Sequence, residues 1–182
     1  MGLRKWFGGR QDEEEPTYRE YSLSTMKVGF LVDYDLKTWQ VTGRGSYDYE
    51  GYSTEEWELQ ADGQVRFLER AVEDGKAYWT LTRSIGINEI EGDIAAEIIA
   101  DGDPPETVRF EGDEYVGSTS DAGLYRKDST DAEREFVNWS FEGEEGKVLF
   151  ISQWGEREFA AYAGLEVEEY QFTDILPVEE GT

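Results

Sequence analysis

"TEEWELQADGQVRFLE", residues 54–69, decides the fold, because apolar and polar side chains alternate on both sides of Ala61-Asp62-Gly63. Alternation with a period of two, broken by a short Asp-Gly turn, describes two strands joined as a hairpin. Trp57 and Leu59 share one face of the first strand. Val65 and Phe67 are expected to continue that apolar face on the return strand, with Glu58, Gln64 and Arg66 toward water.

Some eighty residues on, "NWSFEGEEGKVLFIS", residues 138–152, repeats the arrangement with Trp139 and Phe141, a longer acidic turn, then Val148 and Phe150. The correspondence extends upstream, where "VDYDLKTWQVTG" (32–43) matches "VRFEGDEYVGS" (108–118), and downstream, where "SIGINEIE" is echoed by "YAGLEVEE". Matched landmarks in one order suggest an internal duplication. Each copy covers roughly 60–70 residues, a size at which a single core supplies only a few kcal/mol, so the copies are expected to pack on each other. The expected fold is all-β: two tandem small β units, SH3-like barrels or curved antiparallel sheets, preceded by a short N-terminal appendage. The boundaries are 1–25 for the appendage and acidic linker, 26–100 for the first unit, 101–105 for a linker at "DGDPP", and 106–182 for the second unit. Residues 94–100 suit either a short helix or another strand, ended by paired prolines.

Composition narrows the chemistry. The chain has 182 residues and neither cysteine nor histidine, which excludes disulfides, thiolate nucleophiles, Cys/His zinc sites and Ser-His or Cys-His catalysis. With 42 acidic and 17 basic residues the formal charge is −25, so nucleic acid is repelled. The same excess of carboxylate gives either a plain solvated surface or an attraction for cations, basic peptides and polyamines. No stretch reaches the roughly 20 apolar residues of a membrane span, and the start lacks a secretory apolar run, so a cytoplasmic location is expected. Leu3, Trp6 and Phe7 among Arg4, Lys5 and Arg10 suit either an unstructured start or a weak interfacial anchor at the inner membrane.

Trp39, Trp57, Trp79 and Trp139 fall on the periodic faces and are expected in the core, with Trp154 less clearly placed. In "GRGSYDYEGYS" (43–53) the apolar alternation lapses, and Tyr47, Tyr49 and Tyr52 crowd with Asp48 and Glu50 between Gly45 and Gly51. An exposed loop of this kind holds an ammonium or guanidinium group by cation–π and charge contacts. The alternative is an irregular edge strand whose tyrosines lean on the core. The counterpart, "STSDAGLYRKDSTDAEREF" (118–136), carries Tyr125, and the two segments are expected to border one side of the molecule, with Tyr47, Tyr49, Tyr52 and Tyr125 more exposed than Trp57, Trp79 and Trp139. Adjacent acids such as Glu55 and Glu56 or Asp101 and Asp103 arise by chance in so acidic a chain. A carboxylate enzyme needs two acids converging in a pocket, and no motif supplies one.

The segments "GFLVDYDLKTWQVTGRGSYDYEGYSTEEWELQ", "RFLER" and "FVNWSFEGEEGKVLFISQWGEREFAAYAGLEVE" resemble the bacterial family named domain of unknown function 4178, over about residues 26–176. The resemblance defines no functional residues. It implies a setting beside phage-shock-type membrane-stress proteins, small membrane proteins and aminopropyltransferase-like enzymes. Three functions therefore stand as expectations: a non-enzymatic interaction module with a protein partner, as an accessory of a membrane-stress system; a binder of a small cation such as a polyamine; and, third, a carboxylate enzyme. No cofactor or metal is expected.

Overall fold

The computed structural model describes residues 21–128, 130 and 132–177. Leu3, Trp6 and Phe7, the expected membrane contact, lie outside the described residues. Eleven antiparallel strands form one sheet in the order β11-β1-β2-β3-β4-β5-β10-β9-β8-β7-β6. The first run comprises β1 (Leu31–Tyr34), β2 (Lys37–Tyr49), β3 (Tyr52–Ala61), β4 (Gln64–Glu73) and β5 (Lys76–Ile85). One α-helix among the described residues, α1 (Ile94–Asp101), separates it from β6 (Thr107–Phe110), β7 (Asp113–Lys127), β8 (Glu133–Glu142), β9 (Lys147–Gly155), β10 (Glu158–Val167) and β11 (Thr173–Leu176). The "DIAAEIIAD" segment thus resolves as helix: Asp93 accepts the amide of Ala96, capping the N-terminus, and Gly102 closes the other end in the left-handed conformation.

Strands β1 to β5 and β6 to β10 each form an antiparallel meander, β11 returns to pair with β1, and the two runs are joined by hydrogen bonds where two packed units, small barrels or curved antiparallel sheets, were expected. β5 pairs with β10, placing Leu81 opposite Leu165. The second junction uses the length of β2 and β7. The first part of β2 pairs with β1 and its last part with β7, with Tyr47 opposite Tyr125 and Asp48 opposite Leu124. With that pairing β2, β3, β4, β5, β10, β9, β8 and β7 close into an eight-stranded ring, while β1, β11 and β6 flank it. Two glycines permit the seam: a Cβ on Gly45 would lie 2.6 Å from the Tyr125 hydroxyl, and one on Gly123 would lie 2.7 Å from the Asp48 carbonyl oxygen.

A closed ring has an outside and an inside. Trp39, Trp57, Trp79 and Trp139 lie outside, in two clusters, whereas Trp154 packs with Phe136 and Tyr125 against Tyr47 and Tyr49 in a third, on the inward face. One gathers Trp39, Val41, Trp57, Leu59, Leu68 and Trp79 under Leu23, Met26 and Phe172. The other gathers Trp139, Phe141, Leu149 and Ile151 under Ile94 and Ile98 of α1 and Val108 and Phe110 of β6. Buried indole N–H groups are satisfied, Trp57 by the Met26 carbonyl at 3.1 Å and Trp139 by Asp103 at 2.9 Å.

The opening hairpin forms with a two-residue turn, Asp62 and Gly63 both at positive φ, the geometry that matches strand twist. That turn pairs Ala61 with Gln64, Trp57 with Leu68 and Glu58 with Phe67. Leu68 therefore completes the apolar face that Val65 and Phe67 were expected to supply, and those two fall on the face of Glu58. Counting "ADG" as the turn shifts the register by one residue, and a one-residue shift sends every side chain to the opposite face.

Candidate functional site

The inner face of the ring is built of tyrosines, hydroxyl and amide side chains and acids. Tyr47 and Tyr49 come from β2, Tyr52, Thr54 and Glu56 from β3, Glu69 and Ala71 from β4, and Thr80 and Thr82 from β5. Tyr162 comes from β10, Phe150 and Ser152 from β9, Asn138 and Ser140 from β8, and Asp121 from β7. Together these side chains line a cavity of about 210 Å³. It has room for about seven waters at ~30 Å³ each. It is smaller than the roughly 300–1,000 Å³ pockets that take drug-sized ligands.

A bulge in β2 explains why tyrosines fill it. Val41 pairs with Leu59 and Gly43 with Glu58, so the extra residue, Thr42, inverts the phase of the strand. Before it, Trp39 and Val41 face the outer cluster; after it, Tyr47 and Tyr49, at the same odd positions, turn inward. Residues 43–53 are thus two regular paired strands and not an exposed loop, and of the counterpart segment residues 118–127 belong to β7 and 133–136 to β8. The two segments do meet, along the seam. Tyr52 is 46% exposed, but Tyr47 and Tyr49 are buried at 9% each, little above Trp57, Trp79 and Trp139. Their rings form a ladder, with Tyr47 and Tyr49 centroids 6.5 Å apart, Tyr49 and Tyr52 4.6 Å apart, and Tyr125 against Tyr47 at 4.7 Å. Asp48 and Glu50, expected to act with these tyrosines, point away from the cavity and border an outer groove of about 1150 Å³ with Leu124, Glu135 and Glu156.

Two acids dominate the interior: Glu56, which the sequence offered only as one of a chance pair with Glu55, and Glu69, which it did not single out. Glu56 and Glu69 stand directly opposite each other on β3 and β4. Like charges in that position repel, and burial adds a desolvation cost. Glu56 accepts a hydrogen bond from Tyr47 at 2.8 Å and a longer one from Tyr125 at 3.4 Å. Among the described residues no ion pair reaches Glu56 or Glu69. Burial, followed by the charge of Glu69, pushes the Glu56 carboxyl up to about 7, against the pull of the two tyrosine hydroxyls. Burial also raises Glu69, opposed by the nearby Thr54 hydroxyl. That hydroxyl is itself fully buried and makes no hydrogen bond of acceptable geometry. The phenols respond in kind: burial and then the Glu56 charge hold Tyr47 well above the usual range, and Tyr162 is raised to about 12 by the same causes.

The positive groups of this region do not pair with the two acids. Arg44 and Arg70 share Glu55 and lie over Trp57 and Trp79 on the outer face, while Arg134, opposite Tyr125 in register, lies over Trp154 and pairs with Glu158. Lys76 sits over Tyr78 at the rim, exposed. The result is an enclosed wall of π faces around two acids with no cation of the protein's own between them. The adjacent acids picked from the sequence do not form it: Glu55 and Glu56 point to opposite faces of β3, and only Glu56 looks inward. The signal available in the sequence was the phase of Glu56, two residues from Thr54 and opposite Trp57, but that phase was assigned to solvent because nothing local marks the second face as enclosed.

The model of the family DUF4178, described as a domain of unknown function, matches residues 27–169. An uncharacterized protein of Aquifex aeolicus (strain VF5) is 29% identical over 175 residues, covering 96% of each chain. No solved structure matches.

Proposed function

We propose that this chain, which belongs to the DUF4178 family, is a binding protein for a small organic cation held inside the barrel. The observation that carries the reading is the Glu56–Glu69 pair, opposed, enclosed and without a basic partner among the described residues. An ammonium group between the two acids replaces their mutual repulsion with attraction, while Tyr47, Tyr49 and Tyr162 present π faces and hydroxyl acceptors to its flanks. Thr54 offers an unengaged hydroxyl in the same wall. The cavity volume limits the guest to a compact molecule, and the aromatic lining favours an alkylammonium over a hydrated metal ion. Among the described residues no group of three or more acids is placed to hold a metal.

Calorimetric titration with butylammonium at pH 8 tests this. Saturable binding that is lost in a Glu56→Gln, Glu69→Gln double variant is the expected result. Absence of binding to the folded wild-type chain, or equal binding by the double variant, refutes it.

A second reading concerns the outer groove along the seam, where Asp48, Glu50, Glu135 and Glu156 surround the exposed Leu124. Such a surface suits a basic protein segment. A partner recovered from lysate should then dissociate as salt rises, and a complex indifferent to salt would contradict that arrangement.

A further inference from the structure

The cavity contains a third acid, and its position bears on what the cation is. Asp121, on β7, lines the same space as Glu56 and Glu69, yet the three do not converge into a group that a single ion could bridge. Between the two acidic points runs the tyrosine ladder. Tyr47 is bonded to Glu56, Tyr49 stacks on Tyr52, and Asp121 lies against the Tyr52 hydroxyl. Burial and then the Asp121 charge push that hydroxyl up to about 12. Asp121 takes part in no ion pair among the described residues. The end near Tyr52 and Tyr78 is the open one, since both tyrosines are about half exposed, at 46% and 47%, whereas Glu56 at the inner end is buried. The space therefore has an inner acidic point, an aromatic and methyl-lined middle that includes Ala71 and Phe150, and an outer acidic point.

We infer, building on the cation-binding reading, that the guest is a two-ended cation, an alkyl chain with an ammonium at each end, its inner end on Glu56 and Glu69 and its outer end on Asp121. A metal ion satisfies one point and leaves the other bare. A monoamine fills the inner point and sets its methyl end beside the Asp121 carboxylate, an unfavourable neighbour. A diamine matches both, and its methylenes lie along the faces of Tyr47, Tyr49 and Tyr52.

Butane-1,4-diammonium and butylammonium have the same chain and differ only in the second charge, so their affinities on the intact protein isolate the role of the outer point. The diamine is expected to bind at least tenfold tighter at low salt, and Asp121→Asn, an isosteric change at a half-buried site, is expected to bring the ratio close to one. A Tyr52→Phe variant serves as a second probe: it keeps the ladder and removes the hydroxyl beside Asp121, and it should reduce the ratio while leaving the preference for the diamine in place. Equal affinity of the two amines in the wild-type chain, or a ratio unchanged in Asp121→Asn with both variants folded by thermal melt, overturns the two-ended guest while leaving a monocation site standing. If neither amine binds, the cation-binding reading itself fails and this inference fails with it.

Discussion

At Glu56, burial and the facing Glu69 both favour the neutral acid, and the energetic consequence has a definite sign. The carboxyl is raised from 4.5 to about 7 on folding, so the folded chain holds a proton that the unfolded chain releases anywhere between those values. Stability from this group is fully present below pH 4.5 and is lost as pH rises toward 7. The empty protein should therefore melt at lower temperature at pH 8 than at pH 5 by an amount traceable to this residue, on the order of 1–3 kcal/mol. Glu56→Gln, which keeps the shape and removes the charge, should flatten that part of the pH profile and raise the melting temperature at pH 8. A Glu56→Gln chain whose melting temperature keeps the full wild-type slope between pH 5 and 8 would contradict the assignment. Tyr47→Phe acts in the opposite sense on the same carboxyl. Losing the 2.8 Å hydrogen bond removes a force that lowers the Glu56 pKa, so the apparent value should rise further, with a stability loss of about 1 kcal/mol and weaker butylammonium binding at pH 7. An unchanged Glu56 titration in Tyr47→Phe would show that the bond does not form in solution.

Among the elements, the β2–β7 seam makes the difference between an open sheet and a ring. Gly123 has no space for a side chain, with the Asp48 carbonyl oxygen at 2.7 Å and the Phe136 ring at 3.1 Å from a Cβ position. Gly123→Val must displace β2 from β7, and a loss of about 1–3 kcal/mol is expected. Hydrogen exchange should rise in residues 45–49 and 123–127 before it rises in the β4–β5 hairpin; exchange increasing evenly over the chain would mean that the seam is not the element that closes the ring. The same seam accounts for what the sequence could and could not show. Hairpins were legible because alternation and Asp-Gly turns are local signals: the β3–β4 and β8–β9 pairs stand where the two tryptophan-led stretches placed them, and Trp57, Trp79 and Trp139 are buried. Closure was not legible, because it brings Tyr47 to Tyr125 across 78 positions and depends on a phase inversion at Thr42 that reads locally as an alternation that fails. Once the ring is closed, the face that carries Glu56 and, by the true register, Glu69 becomes an interior; alternation assigns Glu58 on that face to water, while counting the turn one residue too long puts Glu69, in phase with Val65 and Phe67, on the expected apolar face. The aromatic-acid character of the site was visible in Tyr47, Tyr49, Tyr52 and Tyr125, while its acids were sought beside those tyrosines in sequence and are supplied instead by the neighbouring strands.

Over the whole molecule, the two larger apolar cores sit outside the barrel wall, and inside it the acids and hydroxyl groups share the space with an aromatic cluster of Tyr47, Tyr49, Phe136, Tyr125 and Trp154. Two outer clusters, each roofed by short segments, hold the wall rigid from without, so the interior need not be filled with hydrocarbon to keep the fold. A net charge of −25 adds a long-range field that draws small cations toward the open end near Tyr52 and repels anions. An occupied barrel should be more stable than an empty one by mass action, so butane-1,4-diammonium at 100 times its dissociation constant should add about 2.7 kcal/mol. A melting temperature that does not respond to saturating diamine would contradict binding to the folded state. The central claim, that the enclosed acid pair is a receptor for a cation, is tested most directly by following the carboxyl carbons of Glu56 and Glu69 by NMR across a pH titration, with and without butylammonium. The account predicts a coupled titration with one step near 7 in the empty protein, moving down toward ordinary glutamate values when the cation is present. Ordinary titration of both residues in the empty protein, unchanged by the cation, would contradict it.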